Sequence, residues 1–191
     1  MQLHKRDVVC AATTILDAYG IADLSMRRLA RELGVSPSAL YWHFANKQQL
    51  LGAVADQVLA PACTEPGPGS WQDRIQTVGR RLRDALLSHT DGAELVSASM
   101  AAGQSQSVKA ILAMLAESAT LAGVPADHAE QVARTVVYYV VGFTADEQSR
   151  RQWDAAGAAE IATDDDPDRA FAFGLELLTD GLAMRAAVTI G

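Results

Sequence analysis

Apolar residues recur every three or four positions along most of the chain, which is the spacing of one face of an α-helix. In the first segment Val8, Ala12 and Ile15 follow this pattern, which stops at Gly20. Strand-like alternation and internal repeats are absent from the sequence. The pattern therefore predicts an all-α fold, with a small three-helix head at the N-terminus and a larger helical core after it.

Capping residues divide the first sixty positions into four helices. Ser25 is placed to cap a second helix, and Ser36 to cap a third, which has Pro37 at its first position, where the missing N–H costs nothing. We expect this third helix to have only two turns. Two short helices joined by a turn at Gly34 are typical of a helix-turn-helix, and Asn46 is placed to cap the fourth helix.

Beyond a loop rich in proline and glycine at 61–69, the periodicity predicts five further helices. Their spans are 71–89, 92–101, 107–122, 127–150 and 168–188. The last helix carries one apolar stripe, which consists of Phe171, Leu175, Leu178 and Leu182. The polar segment 154–167 includes the acidic run DDDP and predicts an irregular loop that ends in a helix cap, rather than a metal site.

The charge is unevenly distributed between the two ends of the chain. The formal net charge is −7, but residues 1–47 carry a net charge of +2 and the remaining residues one of −9. A small basic head on an acidic body fits a protein that binds nucleic acid through its N-terminal part. A chance fluctuation in composition explains the same asymmetry, so the charge alone does not decide between the two.

The composition favours a cytoplasmic globular protein. Apolar residues make up 49% of the chain and charged residues 20%, which is typical of a globular domain. The apolar run at 136–143 is too short to span a membrane, and no apolar segment follows the N-terminal MQLHKRD. We therefore expect neither a membrane anchor nor a signal peptide. Cys10 and Cys63 are interpreted as two thiols rather than as a disulfide or a metal site.

Four stretches of the chain carry a family resemblance. The first, SMRRLARELGVSPSALYWHFANKQQLLGAVADQVL, resembles the DNA-binding head of the tetracycline-repressor (TetR) family of transcriptional regulators. The other three are SWQDRIQTVGRRLRDALLSHTDGAELV, VVGFTADEQ and RAFAFGLELLTDGL. They resemble the ligand-binding core of the tetracycline repressors themselves. The resemblance implies a helix-turn-helix DNA-binding domain at 1–47 and a ligand-binding and dimerisation domain at 48–191. It implies a regulator and not an enzyme.

The resemblance implies that the third helix lies in the major groove of DNA. Pro37, Ser38 and Ala39 stand where the tetracycline repressors carry Gln-Pro-Thr, so we expect an operator different from theirs. Arg27 matches an arginine that reads guanine in the family, with a phosphate contact or a surface charge as the alternative. The DNA-contacting residues implied in this way are Arg27, Pro37, Ser38, Ala39, Tyr41, His43 and Lys47.

An aromatic cluster, Leu-Tyr-Trp-His-Phe, ends the third helix. We expect Leu40 and Phe44 to pack in the core of the head, whereas Tyr41 and Lys47 face the DNA. The pattern leaves the direction of Trp42 open, because it lies between residues of both kinds.

The resemblance also implies an effector site in the core, which departs from that of the tetracycline repressors. Val96 stands where they hold the magnesium of the drug with a histidine, and valine cannot ligate a metal. Asp146 keeps a carboxylate where they hold a glutamate, with a surface or capping acid as the alternative. We therefore expect a bulky, mainly apolar effector that binds without a metal or cofactor, although ordinary core packing is the alternative for each apolar residue. The effector-site residues implied are Cys63, Val78, Leu82, Val96, Met100, Phe143 and Asp146.

The resemblance further implies a homodimer, in which the long helix and the last helix of each subunit form a four-helix bundle. Gly142, Gly174 and Gly181 are expected to allow close approach of these helices, and Leu175 and Leu178 to lie in the interface. Two heads would then bind a palindrome in double-stranded DNA. An effector would shift the fourth helix and so release this operator.

The target gene and two alternatives remain at the level of hypotheses. Family analogy favours an efflux or resistance gene as the target. The first alternative is an activator, or a repressor without a small-molecule effector, which a closed core without a cavity would favour. The second is an enzyme with Asp146 or His128 as acid or base, but no paired catalytic groups in the sequence support it.

Overall fold

The computed structural model describes residues 3–157 and 166–189, with the backbone alone described at 186–189. Within these residues the chain forms nine α-helices and two short 3₁₀ turns, without a β-strand. The helices are α1 (Lys5–Tyr19), α2 (Met26–Glu32), α3 (Pro37–Tyr41), α4 (Lys47–Leu59), α5 (Trp71–Leu87), α6 (Gly92–Ala102), α7 (Gln106–Leu121), α8 (Ala126–Ala155) and α9 (Pro167–Thr189). The predictions of an all-α fold and of a three-helix head are confirmed.

The helix ends of the head follow the local sequence. The Ser25 hydroxyl accepts a hydrogen bond from the backbone N–H of Arg28 at 3.2 Å and so caps α2. Gly34 makes the turn between α2 and α3 with a φ of 63°, a conformation that residues with a Cβ rarely adopt. The core of the head is mainly apolar and includes Val8, Leu16, Leu29, Leu40 and Phe44.

Helix α3 is shorter than the two turns that the sequence predicts. It ends at Tyr41, because the carbonyl of Leu40 accepts hydrogen bonds from the backbone N–H groups of both His43 and Phe44, each at 2.9 Å. Ser36 stands at the N-cap position as predicted, but its hydroxyl caps no backbone N–H. It lies instead 2.8 Å from the hydroxyl of Ser38, so the cap prediction is wrong in its contact and right in its position.

Helix α4 connects the head to the core and packs against both. The Asn46 side chain accepts from the N–H of Gln49 at 2.9 Å and caps the helix, as predicted. Near its middle, a Cβ on Gly52 would lie within 3 Å of Gln104, so the helix runs directly over the α6–α7 turn. Asp56 then accepts hydrogen bonds from the Ser105 hydroxyl at 2.6 Å and from the Ser107 N–H at 2.8 Å. These contacts tie α4 to the start of α7.

Helices α5 to α8 form the body of the core. Val78, Leu82 and Leu86 of α5 are buried, as the periodicity predicts, and α8 packs along both α5 and α7. Helix α8 continues to Ala155, five residues beyond its predicted end. The ion pair of Glu147 with Arg151, one turn apart, crosses the predicted end and supports this extension. The predicted loop at 61–69 begins with a 3₁₀ turn, Ala60–Cys63, and the predicted loop at 154–167 lies mostly outside the described residues.

Helix α9 packs antiparallel to α8 and across α5. Phe171 and Leu175 are buried, and the Tyr139 hydroxyl donates to the carbonyl of Phe171 at 2.9 Å. Gly174 lies directly against the Tyr139 ring, which leaves no room for a Cβ. Leu175 likewise fills the space beside Gly79 of α5. The predicted stripe thus does share one face of the last helix, and that face lies in the core of its own subunit.

Candidate DNA-binding surface and effector site

The surface around α3 is polar at its start and aromatic at its end. Pro37 and Ser38 are exposed, Ala39 is half-buried, and the Tyr41 side chain is 52% exposed. His43 is half-buried. Since Leu40 anchors the opposite face of α3, this arrangement presents the predicted base-reading residues together on the outer side of the head.

Trp42, which the sequence pattern leaves open, is 90% exposed. Its neighbour Tyr41 is also exposed, whereas Phe44 is buried and holds the end of α3 against the rest of the head. An exposed tryptophan has a large apolar surface in contact with water, which is unusual without a partner. The early end of α3 at Tyr41 explains why helical spacing could not assign Trp42 to a face.

Two neighbouring arginines of α2 lie in different environments. Arg28 forms an ion pair with Asp23 at 2.7 Å and lies over the ring of Tyr19 at 3.8 Å. Arg27 is exposed. Arg28 is thus engaged within the head, and Arg27 is the arginine of the pair that is presented to solvent.

The start of α4 adds a site for negative charge beside α3. Lys47 is exposed at the first position of the helix, next to the capping residue Asn46. The backbone N–H groups of a helix N-terminus favour anions, and a lysine at the same point adds a full positive charge. The arrangement suits a DNA phosphate at the edge of the α3 surface.

The residues of the predicted effector site fall into separate environments. Val78, Leu82 and Val96 are almost completely buried in the hydrophobic core. Phe143 and Asp146, in contrast, line a small cavity of about 150 Å³ at the start of α9. Met100 and Cys63 are half-buried and pack against the core, with the Cys63 thiol 3.7 Å from the Ser107 carbonyl. The structure does not gather these residues around one described cavity, and the predicted effector site stays a prediction.

The small cavity is bordered by a network of charges. Arg83 is buried and donates to Glu147 at 3.0 Å and to Asp168 at 2.7 Å. Burial lowers the pKa of Arg83, but the hydrogen bonds to Asp168 and Glu147 outweigh it and raise that pKa above its usual value. The guanidinium also lies over the ring of Phe171 at 4.9 Å. Because its charges are paired, the network joins α5, α8 and α9 rather than offering a vacant binding group.

A larger apolar groove of about 690 Å³ runs between α8 and α9. Its floor is Ile75 of α5, and its walls include Val132, Val136 and Leu178. Next to the groove, α9 exposes an apolar stripe that consists of Phe173, Leu177 and Met184, each more than half exposed. Gly142 and Gly181 also have open space where a Cβ would stand.

This stripe corrects the predicted dimer contacts. Leu175 is fully buried within its own subunit and Gly174 lies against Tyr139, so neither is available to a second copy. The exposed stripe of α9 is displaced from the predicted one by two positions, onto the opposite side of the helix.

Two family models match the sequence. The model of the tetracyclin repressor-like C-terminal domain covers residues 63–163, and the model of bacterial regulatory proteins of the tetR family covers residues 9–54. The tetracycline repressor protein class A from transposon 1721 of Escherichia coli is 34% identical, over 98% of this chain and 94% of that protein.

The chain belongs to the TetR family. TetR-family proteins are DNA-binding transcription factors, so the chain is a regulator of transcription and not an enzyme. Its helix-turn-helix comprises the exposed α3 surface described above. Within the described residues, no helix is both long and apolar enough to cross a membrane.

Two solved structures in this family are more similar in sequence than the tetracycline repressor. Mycobacterium smegmatis BioQ is 61% identical with a TM-score of 0.91, over 96% of this chain and 99% of that chain. BioQ with its natural double-stranded DNA operator is 59% identical with a TM-score of 0.85, over 95% of this chain and 99% of that chain. The fold is thus shared with BioQ over 96% of this chain.

Proposed function

We propose that the protein is a homodimeric repressor that binds a palindromic operator in double-stranded DNA through α3. The observation that carries the proposal is the exposed surface of Ser38, Tyr41 and Trp42 on a chain 59% identical to a protein solved with its DNA operator. Residues 1–47 are the DNA-binding domain in this proposal, and residues 48–191 carry effector binding and dimerisation.

The polar and the aromatic residues of the α3 surface have different roles in DNA binding. A hydroxyl at Ser38 can donate to or accept from a base edge, and the methyl of Ala39 suits a thymine methyl. In this proposal the sugar-phosphate backbone of the DNA and the apolar edges of neighbouring bases are contacted by Tyr41, Trp42 and His43. Arg27 reaches a base or phosphate from α2, and Lys47 neutralises a phosphate at the start of α4.

The second copy covers the exposed stripe of α9 and the neighbouring groove on α8. Three large apolar side chains exposed on one helix are costly for a monomer, and the open space at Gly181 of the same helix permits close helix approach. Two heads held by one such interface present two α3 helices to successive major grooves, which is why a palindrome is the expected site.

For regulation, we propose release of the operator by a small hydrophobic effector that binds without a divalent metal. A flat aromatic polyketide is the favoured class. Val96 offers no metal ligand, and Asp146 is already paired with Arg150. The proposed target is an efflux or resistance gene next to that of the repressor. The burial of Val78, Leu82 and Val96 favours a second candidate, a regulator whose packed core binds no effector.

Operator binding is tested by selecting sequences from a randomised duplex library with the purified full chain. Enrichment of a palindrome, bound in a gel-shift assay by two chains, supports the proposal. A selected pool without any common sequence would contradict it.

The effector is tested on the selected operator complex with tetracycline and with aromatic polyketides, each with magnesium and with EDTA. Metal-independent release by a polyketide supports the proposed effector class, and Val96→His is the matched variant that restores a metal ligand. Strong magnesium-dependent release of the wild type by tetracycline would exclude a metal-free effector. The absence of release by any compound favours the effector-free regulator.

A further inference from the structure

The head touches the core at a second place, in addition to its connection through α4. The end of α1 and the turn that follows it lie against the α5–α6 turn, residues 88–91, which is itself held by α8. We call this contact the head latch, and it consists of Asp17, Ile21, His89, Thr90, Asp91 and Gln152. All its contacts are polar and join parts of the chain that are 61 to 73 residues apart.

Asp91 is the centre of the head latch. One oxygen of its carboxylate accepts the backbone N–H of Ile21 at 2.9 Å, and the other accepts the side-chain amide of Gln152 at 2.7 Å. Asp91 therefore contacts the head on one side and α8 on the other. A Cβ on Gly20 would lie 2.5 Å from the carboxylate, so the chain of the head passes directly beside it.

The backbone of Asp91 has an unusual conformation that fits this role. It is the sole residue other than glycine with a positive φ, 52°, among the described residues. Such a conformation is costly for a residue with a Cβ and persists where surrounding contacts hold it. The hydrogen bonds to Ile21 and Gln152 are contacts of that kind.

Asp17 adds a second pair of contacts beside the first. Its carboxylate lies 3.0 Å from His89 Nδ1 and accepts the N–H of Thr90 at 3.3 Å, while its carbonyl accepts the Thr90 hydroxyl at 2.9 Å. The end of α1 is thus fixed to the turn by both side chain and backbone.

Helix α8 holds the α5–α6 turn in place from the other side. The Gln148 amide donates to the carbonyls of Leu86 and His89 at 3.1 and 2.8 Å, and its oxygen accepts the N–H of Ala93 at 3.1 Å. These three hydrogen bonds attach the turn to α8. A contact that holds the head against the turn therefore also holds the head relative to α8.

We propose that Asp91, with Asp17 and Gln152, positions the head relative to α8 and so sets the half-site spacing that the dimer accepts. The inference rests on the proposed function, in which α8 and α9 form the dimer interface. Held by α4 alone, each head could tilt about one helix; a second attachment removes that freedom. Half-sites one turn apart are separated by roughly 34–36 Å, so a fixed head separation discriminates between operators of different spacing.

The experiment compares Asp91→Gly with the wild type on the operator that the wild type selects. Glycine tolerates the positive φ, so this variant removes the carboxylate without adding backbone strain. Glu117→Ala is the matched control, because Glu117 forms an exposed ion pair with Arg74 within the core and takes no part in the latch. Affinity is measured for the selected operator and for versions with one or two base pairs inserted or deleted between the half-sites.

We expect the wild type and Glu117→Ala to lose about tenfold or more in affinity on the altered spacings, and Asp91→Gly to lose only about threefold, a change within the usual range of coupling free energies. Affinity for unrelated DNA should stay the same, since it depends on phosphate contacts within each head. A general loss of folded protein would instead lower affinity for all spacings alike.

An unchanged spacing profile in Asp91→Gly overturns the head latch and leaves the proposed function intact. A wild type that binds all spacings equally overturns it as well. If the wild type selects no palindrome, the proposed function fails first and the latch fails with it. Should Asp91→Gly not fold by circular dichroism, Gln152→Ala, which removes a single exposed donor from α8, decides in its place.

Discussion

At the scale of single residues, two serine hydroxyls at the start of α3 are hydrogen-bonded to each other. The Ser36 and Ser38 hydroxyls lie 2.8 Å apart, and either one can be the donor. If Ser36 donates, Ser38 keeps its proton for a base acceptor; if Ser38 donates, its lone pairs face a base donor. The pair thus decides which edge of a base pair Ser38 can read.

Replacing Ser38 by alanine should change the base preference of the protein at one position in each half-site. The loss of a hydrogen bond to a base edge is expected to cost about 1–3 kcal/mol for the preferred base and little for the others. Competition binding on operators substituted at each position measures this. Equal loss of affinity for every base would show that Ser38 does not read sequence.

Lys47→Gln should weaken binding to all DNA sequences alike. The side chain is exposed at the start of α4, where a phosphate contact carries no sequence information. We expect the slope of log affinity against log salt to fall by about one unit for each lysine lost. Arg28→Gln serves as the comparison, because Arg28 is engaged with Asp23 and Tyr19 and should leave the slope unchanged.

At the scale of helices, α9 has one apolar face in the core of its subunit and a second apolar face exposed to solvent. Phe171 and Leu175 fill the core of the subunit, while Phe173 and Leu177, two positions further on, are exposed. A helix that is apolar on both sides has one side in its own core and needs a partner for the other. The second copy proposed above is that partner.

Leu177→Asp should convert the dimer into monomers that no longer bind the operator. A charge in an apolar interface is unpaired and desolvated, and a single head has too few contacts for specific binding. Static light scattering gives the mass directly. Ala101→Asp, which places the same charge on an exposed position of α6, is the control and should remain dimeric. An unaltered dimer for Leu177→Asp would exclude this face of α9.

At the scale of the whole molecule, polar contacts join elements that lie far apart in the chain. The head is attached to the core through α4 and through Asp91, and the core is joined to α9 through Arg83. Arg83 is buried and bonded to Glu147, which is itself only 7% exposed. This network fixes the start of α9 at one end of the proposed dimer interface.

Arg83→Ala should destabilise the protein by about 3 kcal/mol, because it leaves the buried carboxylate of Glu147 without its main partner. The remaining pair of Glu147 with Arg151 limits the loss. Urea denaturation of the full chain measures the change. Arg150→Ala breaks the exposed pair with Asp146 and should cost about 0–1 kcal/mol. Similar losses in the free energy of unfolding for both variants would show that the buried ion pairs stabilise the protein no more than the exposed pair does.

The sequence by itself determined the features that depend on near neighbours along the chain. The cap at Ser25, the turn at Gly34 and the burial of Leu40 and Phe44 follow from local hydrogen bonding, backbone freedom and helical spacing. The family resemblance added the arrangement of these helices as a head and a core. These predictions hold because each rests on interactions within one or two turns.

Only the tertiary structure decided the features that depend on distant contacts. Periodicity placed Leu175 on an apolar stripe of the last helix, but the close contact with Gly79 of α5 put it in the core of its subunit rather than in the interface. Arg27 and Arg28 look alike in the sequence and differ because Tyr19 and Asp23 engage one of them. Asp91 gave no signal at all, since its partners Ile21 and Gln152 lie more than sixty positions away and meet it only when three separate elements pack together.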